Sequence, residues 1–445
     1  MKVVVLAAGE GRRMNSHLPK PLNKVLGITL MERVILAAKE CGLKDFIIVL
    51  GYKGEEIKNY LLKQKNLAHL NLTFLFNENW QKGNGTSLLT ARHLLEGEFL
   101  LLMADHIFFP KVLKSFLALE KKEPRMAIIQ NWQSLPNIRE ETKVKIENGL
   151  VKDLGKELKE FDGIDAGIFL LNDKVFLSDL FSPIYERQEK GEDEISLSSI
   201  IRDFARRERL EAFPIKDGYV VNVNNKISQK WAEKMILNSQ TKKSDGPIAR
   251  LFNRRLSKYI TRALVSFPIH PNQISLFSFL LALFSGISFF YSPGLGGILA
   301  QLSSIWDGVD GEVARIKFQK TSYGAYLDSI LDRYGDSFIL LCITIALHLS
   351  SLPGNLLIWV FGFLAIIGSF MSQLTKDRFF VVKGKEYPKE EKRWLSYLPM
   401  TRDFRLFLVM LGGLTNQLFL TLILIAIITN LKTILRLLFV KEILS

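Results

Sequence analysis

Four aspartates occupy spacings that place two carboxylates on each of two neighbouring helices. Asp307 and Asp310 are three residues apart and share one helix face. Asp328 and Asp332 are four residues apart and share another. Turned toward each other, the two faces offer only carboxylate oxygens, which suit hard divalent cations. Without a cation the four charges would repel strongly. The spacing therefore predicts a metal site.

A glycine-rich loop follows the first apolar run of the chain. Residues 7–14 have the sequence AAGEGRRM and residues 19–22 the sequence PKPL. Glycines let backbone amides approach an anion, and the arginines and lysine add positive charge. The third glycine of the dinucleotide-binding fingerprint is missing. The segment predicts phosphate binding, although a glycine loop taken alone is as typical of a plain tight turn.

The elements that must position this loop alternate between apolar strands and helices. Helical patterns such as 30–41 and 86–96 separate short apolar runs, which predicts a mostly parallel sheet covered by helices. Ligands bind beyond the carboxyl ends of such strands, so the residues that follow each strand are the candidates for function. The predicted strands are Val3–Leu6, Phe46–Leu50, Thr73–Asn77, Phe99–Met103, Met126–Ile129 and Gly167–Leu171.

The aspartates lie among three stretches that contain no Asp, Glu, Lys or Arg, namely 272–306, 337–375 and 406–431. About 20 residues of helix cross a bilayer core, and turn residues stand in the middle of each stretch. Three hairpins are therefore predicted, although the third stretch could form a single long span. The six predicted helices are 273–291, 295–315, 323–349, 355–375, 402–413 and 416–437.

The distribution of basic residues predicts the orientation of these helices. The hairpin tips carry no Lys or Arg, whereas the opposite side is rich in both, which predicts a multi-pass protein of the cell membrane with both termini and both active sites in the cytoplasm. Val3–Ala8 is too short an apolar run for a signal peptide. The basic residues are Arg250, Arg254, Arg255, Lys258, Arg262, Lys376, Arg378, Lys383, Lys385, Lys389, Lys392, Arg393, Arg402, Arg405, Lys432 and Arg436.

A polar linker joins the two halves of the chain. Residues 241–247 (TKKSDGP) predict that linker, and apolar residues between 248 and 263 recur at helical spacing among arginines and lysines. This pattern favours a basic amphipathic helix on the membrane surface over a plain solvated helix. The predicted domains are 1–240, a linker with a juxtamembrane helix over 241–265, and a transmembrane domain over 266–445.

Composition excludes several classes of protein. The chain has 445 residues, is 48% hydrophobic and carries a net charge of +14, which excludes a disordered protein and favours an anionic partner. The two cysteines, Cys41 and Cys342, support neither a disulfide framework nor a thiolate zinc site. The basic residues concentrate beside the membrane without a nucleic-acid-binding motif, so no nucleic acid is expected as a partner.

The segment LAAGEGRRM…PKPL resembles the sugar-phosphate nucleotidyltransferase family, over about residues 1–232. The resemblance implies an α/β, Rossmann-like nucleotidyltransferase domain, ahead of the all-α six-helix transmembrane domain. It implies that Arg13 and Lys20 neutralise charge during catalysis, that Asp105 holds Mg²⁺ (or Mn²⁺), and that Lys156, near the strand at Asp165–Ile168, binds the alcohol phosphate. The nucleotide-binding residues it implies are Ala8, Gly9, Gly11, Arg12, Asn79, Gly83, Gly85 and Thr86.

One position departs from that family's pattern. The family commonly carries a second metal aspartate where this chain has Val221-Asn222-Val223-Asn224-Asn225. An amide oxygen ligates Mg²⁺ without contributing charge, and Asn224 is the predicted ligand, with Asn222 the other choice. The departure leaves open an inactive domain, and with it a membrane-tethered nucleotide-binding regulator.

The transmembrane aspartates resemble the CDP-alcohol phosphotransferase signature. The pattern is Asp307-x2-Asp310-Gly311-x2-Ala314-Arg315-x8-Gly324-x3-Asp328-x3-Asp332, preceded by HPNQIS at 270–275, and the resemblance covers about 250–440. It implies that the four aspartates hold Mg²⁺ (or Mn²⁺) ions on the CDP pyrophosphate and that Asp332 is also the general base. Gly311, Ala314 and Gly324 would lie against the cytidine, and Arg315 would contact phosphate.

The order of the two domains resembles the family of bifunctional inositol-1-phosphate cytidylyltransferase/di-myo-inositol-phosphate-phosphate synthases. The resemblance implies that CTP and inositol-1-phosphate give CDP-inositol, which reacts with a second inositol-1-phosphate on the way to a compatible solute. It also implies a homodimer surrounded by membrane lipid. A phospholipid synthase with a lipid substrate stays open. The candidate ligands of the acceptor phosphate are Arg254, Lys376, Arg378, Arg402 and Arg405.

Overall fold

A computed structural model describes most of the chain, in two compact units, Met1–Ile236 and Leu237–Ser445. The described residues are 1–14, 16–119, 123–172, 194–207, 209–216, 218–241, 246, 248–350, 355–384 and 401–444. Most of the predicted linker, the tip of the second hairpin at 351–354, and Lys385, Lys389, Lys392 and Arg393 lie outside the described residues.

The first unit contains a central sheet covered by helices. Its strands are β1 (Lys2–Ala7), β2 (Lys24–Val25), β3 (Ile28–Thr29), β4 (Asp45–Leu50), β5 (Asn71–Phe76), β6 (Glu98–Met103), β7 (His106–Phe108), β8 (Arg125–Ile129), β9 (Lys143–Glu147), β10 (Leu150–Gly155), β11 (Gly163–Asn172), β12 (Glu211–Pro214) and β13 (Val220–Asn222). Its helices are α1 (Leu30–Lys39), α2 (Gly54–Leu62), α3 (Asn84–Ala91), α4 (Pro110–Leu117), α5 (Leu197–Arg207) and α6 (Lys226–Asn238).

The strand order of the nine-stranded sheet is β5-β4-β1-β6-β11-β8-β12-β10-β9. The first four strands pair in parallel, and all six predicted strands are confirmed. Beyond β6 most pairings are antiparallel, because β11 runs against β6, β8 and β9. Seven strands were not predicted from the sequence. Strands β2, β3, β7 and β13 are only two or three residues long, and β9, β10 and β12 have fewer fully buried residues than the central strands.

The second unit is helical throughout its described part. A short π-helical segment, Ala249–Asn253, leads into α7 (Arg254–Leu264). The helices that follow are α8 (Pro271–Ser288), α9 (Pro293–Ile316), α10 (Ser322–Ser350), α11 (Leu356–Lys383), α12 (Arg402–Leu414) and α13 (Leu418–Leu444).

These bounds agree with the six helices predicted from the uncharged stretches. A single span over the third stretch is wrong, because α12 ends at Leu414 and Asn416 takes a positive φ of 55° before α13 begins. Three helices of the described chain, Pro271–Ser288, Leu356–Lys383 and Leu418–Lys441, are long and apolar enough to cross a membrane. Crossing by all six stays a prediction.

Capping residues define where α8 and α9 begin. The His270 side chain accepts from Asn272 N and Gln273 Oε1 accepts from His270 N, so α8 starts with a capping box and Pro271 in its first turn. The Ser292 side chain caps α9 by accepting from Leu295 N, ahead of Pro293. These starts set how far along α9 the aspartates lie.

Candidate functional sites

The first site lies at the carboxyl ends of β1 and β6. Lys20 Nζ lies 2.6 Å from Asp105 Oδ2 and 2.6 Å from Asn224 Oδ1, so one ammonium bridges the two predicted metal ligands. The antiparallel pairing of β7 with β13 brings these ligands together, and Val223 N donates to Asp105 O at 2.9 Å. The parallel centre of the sheet thus supplies Asp105, and a two-stranded ribbon supplies Asn224.

Glycine at position 11 allows Lys20 to reach the carboxylate. Gly11 has a φ of +69°, and a Cβ there would collide with the Lys20 side chain. Lys20 is only 12% exposed along this path. The loop glycine is therefore required for the ion pair as well as for any approach of an anion to the backbone.

Two cavities share Asp105 in their walls. A cavity of about 170 Å³ is lined by Ala8, Gly9, Gly11 and Lys20, and a larger one of about 610 Å³ is lined by Arg13, Lys156, Asn224 and Arg202, among other residues. The smaller has the loop amides and an ammonium, as a polyphosphate requires, and the larger has cations among carboxyl and hydroxyl groups, as a phosphorylated alcohol requires.

A polar group behind Asp105 was missed by the sequence analysis. His106 Nδ1 lies 2.7 Å from Asp105 Oδ1, and Asn222 Nδ2 donates to Glu141 Oε2 at 3.2 Å, so Asn222 is engaged away from Lys20. Gly167, with a φ of +66°, leaves room for the His106 ring. A histidine directly after the predicted metal ligand was the signal that could have identified this group.

Burial and charge shift the pKa values of these groups in opposite directions. Burial would raise the pKa of Asp105, but Lys20 and then His106 hold it well below its ordinary range. Burial raises the pKa of Asp165 to about 6 and raises that of Glu141. Burial alone would lower the pKa of His106, but Asp105 raises it above its ordinary value. Asp105 is thus the permanently charged carboxylate of the site.

Several predicted nucleotide-binding residues also have packing contacts, and their role at a nucleotide stays a prediction. Gly83 and Gly85 lie against the backbone of Ile195, where a Cβ would collide, and the buried Thr86 donates to Gly83 O at 2.7 Å. Their neighbours Asn84 and Ser87 line the smaller cavity. Asn79 is exposed.

The two arginines of the loop are paired with glutamates at the surface. Arg12 lies 2.6 Å from Glu10, and Arg13 lies 3.1 Å from Glu140. Both side chains are largely exposed, so each is free to move toward an anion without leaving a buried carboxylate behind.

The second site lies where α9 and α10 meet. Oxygens of Asp307, Asp328 and Asp332 all lie within 4.8 Å of one another. Asp310 is buried, and it accepts hydrogen bonds from Ser275 Oγ and from Gly311 N. The structure thus brings three predicted metal ligands together, with the fourth one turn along α9.

Arg402 lies among these carboxylates. Its Nη1 is 3.0 Å from Asp307 and 3.1 Å from Asp332, and its Nε is 2.9 Å from Asp336. Arg405 makes a second ion pair with Asp336, at 2.8 Å. Both arginines were predicted to bind the acceptor phosphate, and the structure gives them carboxylate partners beside the aspartates.

The remaining predicted residues of this unit have varied surroundings. Arg315 donates to the Gln240 side chain at 2.8 Å, and Arg254 pairs with Glu312 at 2.9 Å. A Cβ on Gly324 would meet Asn272 Oδ1 at 3.0 Å, so glycine allows the close approach of α8 and α10. Gly311 and Ala314 lie on α9 beside the aspartates, and Lys376 and Arg378 lie toward the end of α11, half-buried and exposed.

Both sites have donor sets that fit a divalent cation. Carboxylate and amide oxygens are the ligands that Mg²⁺ and Mn²⁺ prefer. Asp307, Asp328 and Asp332 are close enough to share one ion, and Asp105 and Asn224 already share one cationic group in Lys20.

Comparisons with known proteins match both halves of the chain. The family model described as MobA-like NTP transferase domain matches residues 3–141, and that described as CDP-alcohol phosphatidyltransferase matches residues 268–438. A protein named bifunctional IPC transferase and DIPP synthase, from Aquifex aeolicus, is 34% identical over 97% of this chain and 96% of its own length. A protein of the same name from Archaeoglobus fulgidus is 35% identical over 92% of this chain and 78% of its own length. The solved inositol-1-phosphate CTP transferase of T. maritima covers 53% of this chain and 94% of its own, at 18% identity and a TM-score of 0.46.

The raised pKa of Asp165 predicts a pH-dependent stability difference. The folded protein keeps this proton up to about pH 6, whereas the unfolded chain loses it near its ordinary pKa of 3.8, so the carboxyl costs stability as the pH rises between these values. Asp165→Asn keeps the oxygen that accepts from Gly167 N. We expect the variant to be more stable near neutral pH by up to about 3 kcal/mol, and the difference to vanish in acid. Urea denaturation without substrate measures it, and a difference independent of pH would contradict it.

The position of Arg402 predicts that it acts in the second site only. Arg402→Gln leaves Asp307, Asp332 and Asp336 without its guanidinium, so we expect the phosphotransfer reaction at the aspartates to slow by about 10²-fold. The nucleotidyl transfer at Asp105 should be unchanged in the same sample. Lys320→Gln, which removes an exposed charge from the loop before α10, is the control. Equal losses in both reactions would mean that Arg402 serves only general folding.

Proposed function

Since the chain belongs to the family of bifunctional IPC transferases and DIPP synthases, we propose that it catalyses two successive reactions. It first makes CDP-inositol from CTP and inositol-1-phosphate. It then transfers the inositol phosphate group of CDP-inositol to a second inositol-1-phosphate, which releases CMP and gives phosphorylated di-myo-inositol phosphate. The observation that carries this proposal is that both domains, each with its own acidic site, lie within the span matched by these relatives.

In the first reaction a phosphate oxygen of inositol-1-phosphate attacks the α-phosphorus of CTP, and pyrophosphate leaves. Ala8, Gly9 and Gly11 would receive the triphosphate, and Arg13 and Lys20 would neutralise the charge that develops. Lys156 would bind the phosphate of the alcohol. The two cavities on either side of Asp105 support this assignment, because the two reacting phosphates must meet at one metal ligand. No covalent intermediate is needed, since positioning and charge neutralisation carry such transfers.

In the second reaction a hydroxyl of the acceptor attacks the β-phosphorus of CDP-inositol, and CMP leaves. Asp332 would take the hydroxyl proton, as a carboxylate placed beside the other aspartates can do. Gly311, Ala314 and Gly324 would lie against the cytidine, and Arg315 would contact a phosphate. Arg402 and Arg405, held by Asp336, are the best supported of the five candidate ligands of the acceptor phosphate, because they lie beside Asp332.

Both domain families generally use a divalent metal ion, and the donor sets fit Mg²⁺ or Mn²⁺. Such an ion would neutralise phosphate oxygens and stabilise the leaving group when bound. We propose that Asp105 and Asn224 hold it in the first domain. In the second domain we propose Asp307, Asp310, Asp328 and Asp332.

We further propose the setting in which these reactions occur. The chain would be a multi-pass protein of the cell membrane, with both termini and both sites on the cytoplasmic side. Three apolar helices and the clustering of basic residues away from the hairpin tips support this orientation. The domain bounds would be 1–240, 241–265 and 266–445, and lipid would surround a homodimer formed through the transmembrane helices.

Identification of the products tests this function. We expect phosphorus NMR of the protein in detergent, with CTP, inositol-1-phosphate and Mg²⁺, to show pyrophosphate, CMP and a phosphodiester. A parallel sample replaces the second inositol-1-phosphate with diacylglycerol in vesicles and supplies CDP-inositol. Release of CMP only in the lipid sample would mean that the acceptor is a lipid and not inositol-1-phosphate. Absence of CDP-inositol from CTP would contradict the first reaction.

A further inference from the structure

The juxtamembrane segment contacts the aspartate-bearing helix through its polar residues. Asn253, Ser257 and Thr261 are buried, whereas the apolar Leu251, Phe252, Leu256 and Tyr259 of the same segment are between 41% and 76% exposed. These four exposed apolar side chains can contact a lipid surface, as the sequence pattern predicts. Arg254 pairs with Glu312 instead, and Ile260 and Leu264 pack with Val309 and Val313 of α9. Asn253, Ser257 and Thr261, which are four residues apart from one another along the chain, form a polar stripe that faces α9. The sequence pattern did not indicate this stripe.

Two residues of that polar stripe, together with Arg254, surround a fully buried carboxylate. Glu312 of α9 is 0% exposed. Its Oε1 accepts from Arg254 Nη1 at 2.9 Å and from Ser257 Oγ at 2.7 Å, and its Oε2 accepts from Thr261 Oγ1 at 2.6 Å. We call Glu312 and these three donors the Glu312 cluster. A buried carboxylate is tolerated when charged and polar donors satisfy both oxygens, as they do here.

A glycine of α9 allows the Glu312 cluster to form. Arg254 Nη1 also donates to Gly308 O at 3.2 Å, and a Cβ on Gly308 would meet that nitrogen at 2.8 Å. Gly308 directly follows Asp307. Because residue 308 is a glycine, no side chain blocks the Arg254 guanidinium where it crosses α9, one residue from a predicted metal ligand.

The rotation of α9 about its axis connects this cluster to the aspartates. At about 100° per residue, Gly308 and Glu312 share one face, and Asp307 and Asp310 share a second face. Val309 and Val313 form a third face, which packs on Ile274 of α8. The apolar face can slide or turn at small cost, because dispersion contacts are not directional. The three hydrogen bonds at Glu312 are directional, and they hold α9 two residues from Asp310, in addition to the hydrogen bonds of Ser275 with Asp310 and of Ser304 with Asp403. They therefore restrict the rotation that sets the angle at which Asp307 and Asp310 leave the helix.

We propose that Glu312 is a positioning residue for the phosphotransfer site. It anchors α7 to α9 and thereby sets the direction of Asp307 and Asp310 toward Asp328 and Asp332. Arg254 belongs to this anchor, which leaves Lys376, Arg378, Arg402 and Arg405 as the candidate ligands of the acceptor phosphate.

Binding of Mn²⁺ to the purified full-length chain in detergent tests the proposal. The measurement uses an Asp105→Ala background, so that the first site contributes little, and follows free Mn²⁺ by electron paramagnetic resonance. We expect Glu312→Gln to weaken Mn²⁺ binding by at least about tenfold, as the loss of a group that orients metal ligands does. Glu312→Asp keeps the charge on a shorter side chain, and its affinity for Mn²⁺ should lie between those of Glu312→Gln and the wild type. Arg255→Gln removes an exposed charge from the same helix and is the matched control.

A second readout separates positioning from folding. In the chain with Asp105 intact, Glu312→Gln should lower kcat for CMP release from supplied CDP-inositol by about tenfold, with pyrophosphate release from CTP unchanged. If Glu312→Gln does not fold, Glu312→Gln with Arg254→Gln leaves no buried charge unpaired, and the same tenfold loss of Mn²⁺ binding is expected of it.

A folded variant that binds Mn²⁺ as tightly as the wild type does, and that differs only in a lower unfolding midpoint, would overturn the proposal. The kcat readout rests on the proposed function, whereas the Mn²⁺ readout does not. A wild type that releases no CMP would therefore contradict the proposed function and leave the test of Glu312 intact.

Discussion

Repulsion between carboxylates is the constraint on which the helical unit depends. Asp307, Asp328 and Asp332 lie within 4.8 Å of one another at the junction of two largely apolar helices, where charge is costly. Arg402 supplies positive charge to two of them, and Asp336 in turn holds Arg402 and Arg405. Small residues and glycines bring the helices close enough for this arrangement, and Glu312 restricts the rotation of the helix that carries Asp307. A cation binding to the same oxygens would complete the balance of charge.

In the α/β unit a lysine balances the negative charge of the site. Lys20 bridges Asp105 and Asn224 and holds the pKa of Asp105 low despite its burial. An asparagine in place of a second aspartate reduces the negative charge that must be balanced. One carboxylate with one ammonium therefore makes a site that a nucleoside triphosphate and a phosphorylated alcohol can approach from separate cavities.

Local spacing predicted a large part of both sites. The aspartate pairs, the strands β1 and β6, and the loop between Ala7 and Lys20 all depend on residues near one another in sequence, for which helical and strand periods suffice. The roles of Arg402 and Glu312 depend on contacts with residues more than 50 positions away, and no local pattern identifies such partners. The pairing of β13 with β7 is another such contact, since it joins Asn222 to His106. Gly83 and Gly85 also pack on Ile195 from a distant segment, a contact that their local sequence does not indicate.

The central claim is that one chain carries two separate sites that act in order, the first around Asp105 and the second around Asp332. Phosphorus NMR of Asp105→Ala and Asp332→Ala, each supplied with CTP, inositol-1-phosphate and Mg²⁺ and then with CDP-inositol, tests it most directly. We expect Asp332→Ala to accumulate CDP-inositol without CMP, and Asp105→Ala to make no CDP-inositol but to convert supplied CDP-inositol to CMP and a phosphodiester. Release of CMP by Asp332→Ala, or failure of Asp105→Ala to use supplied CDP-inositol, would contradict it.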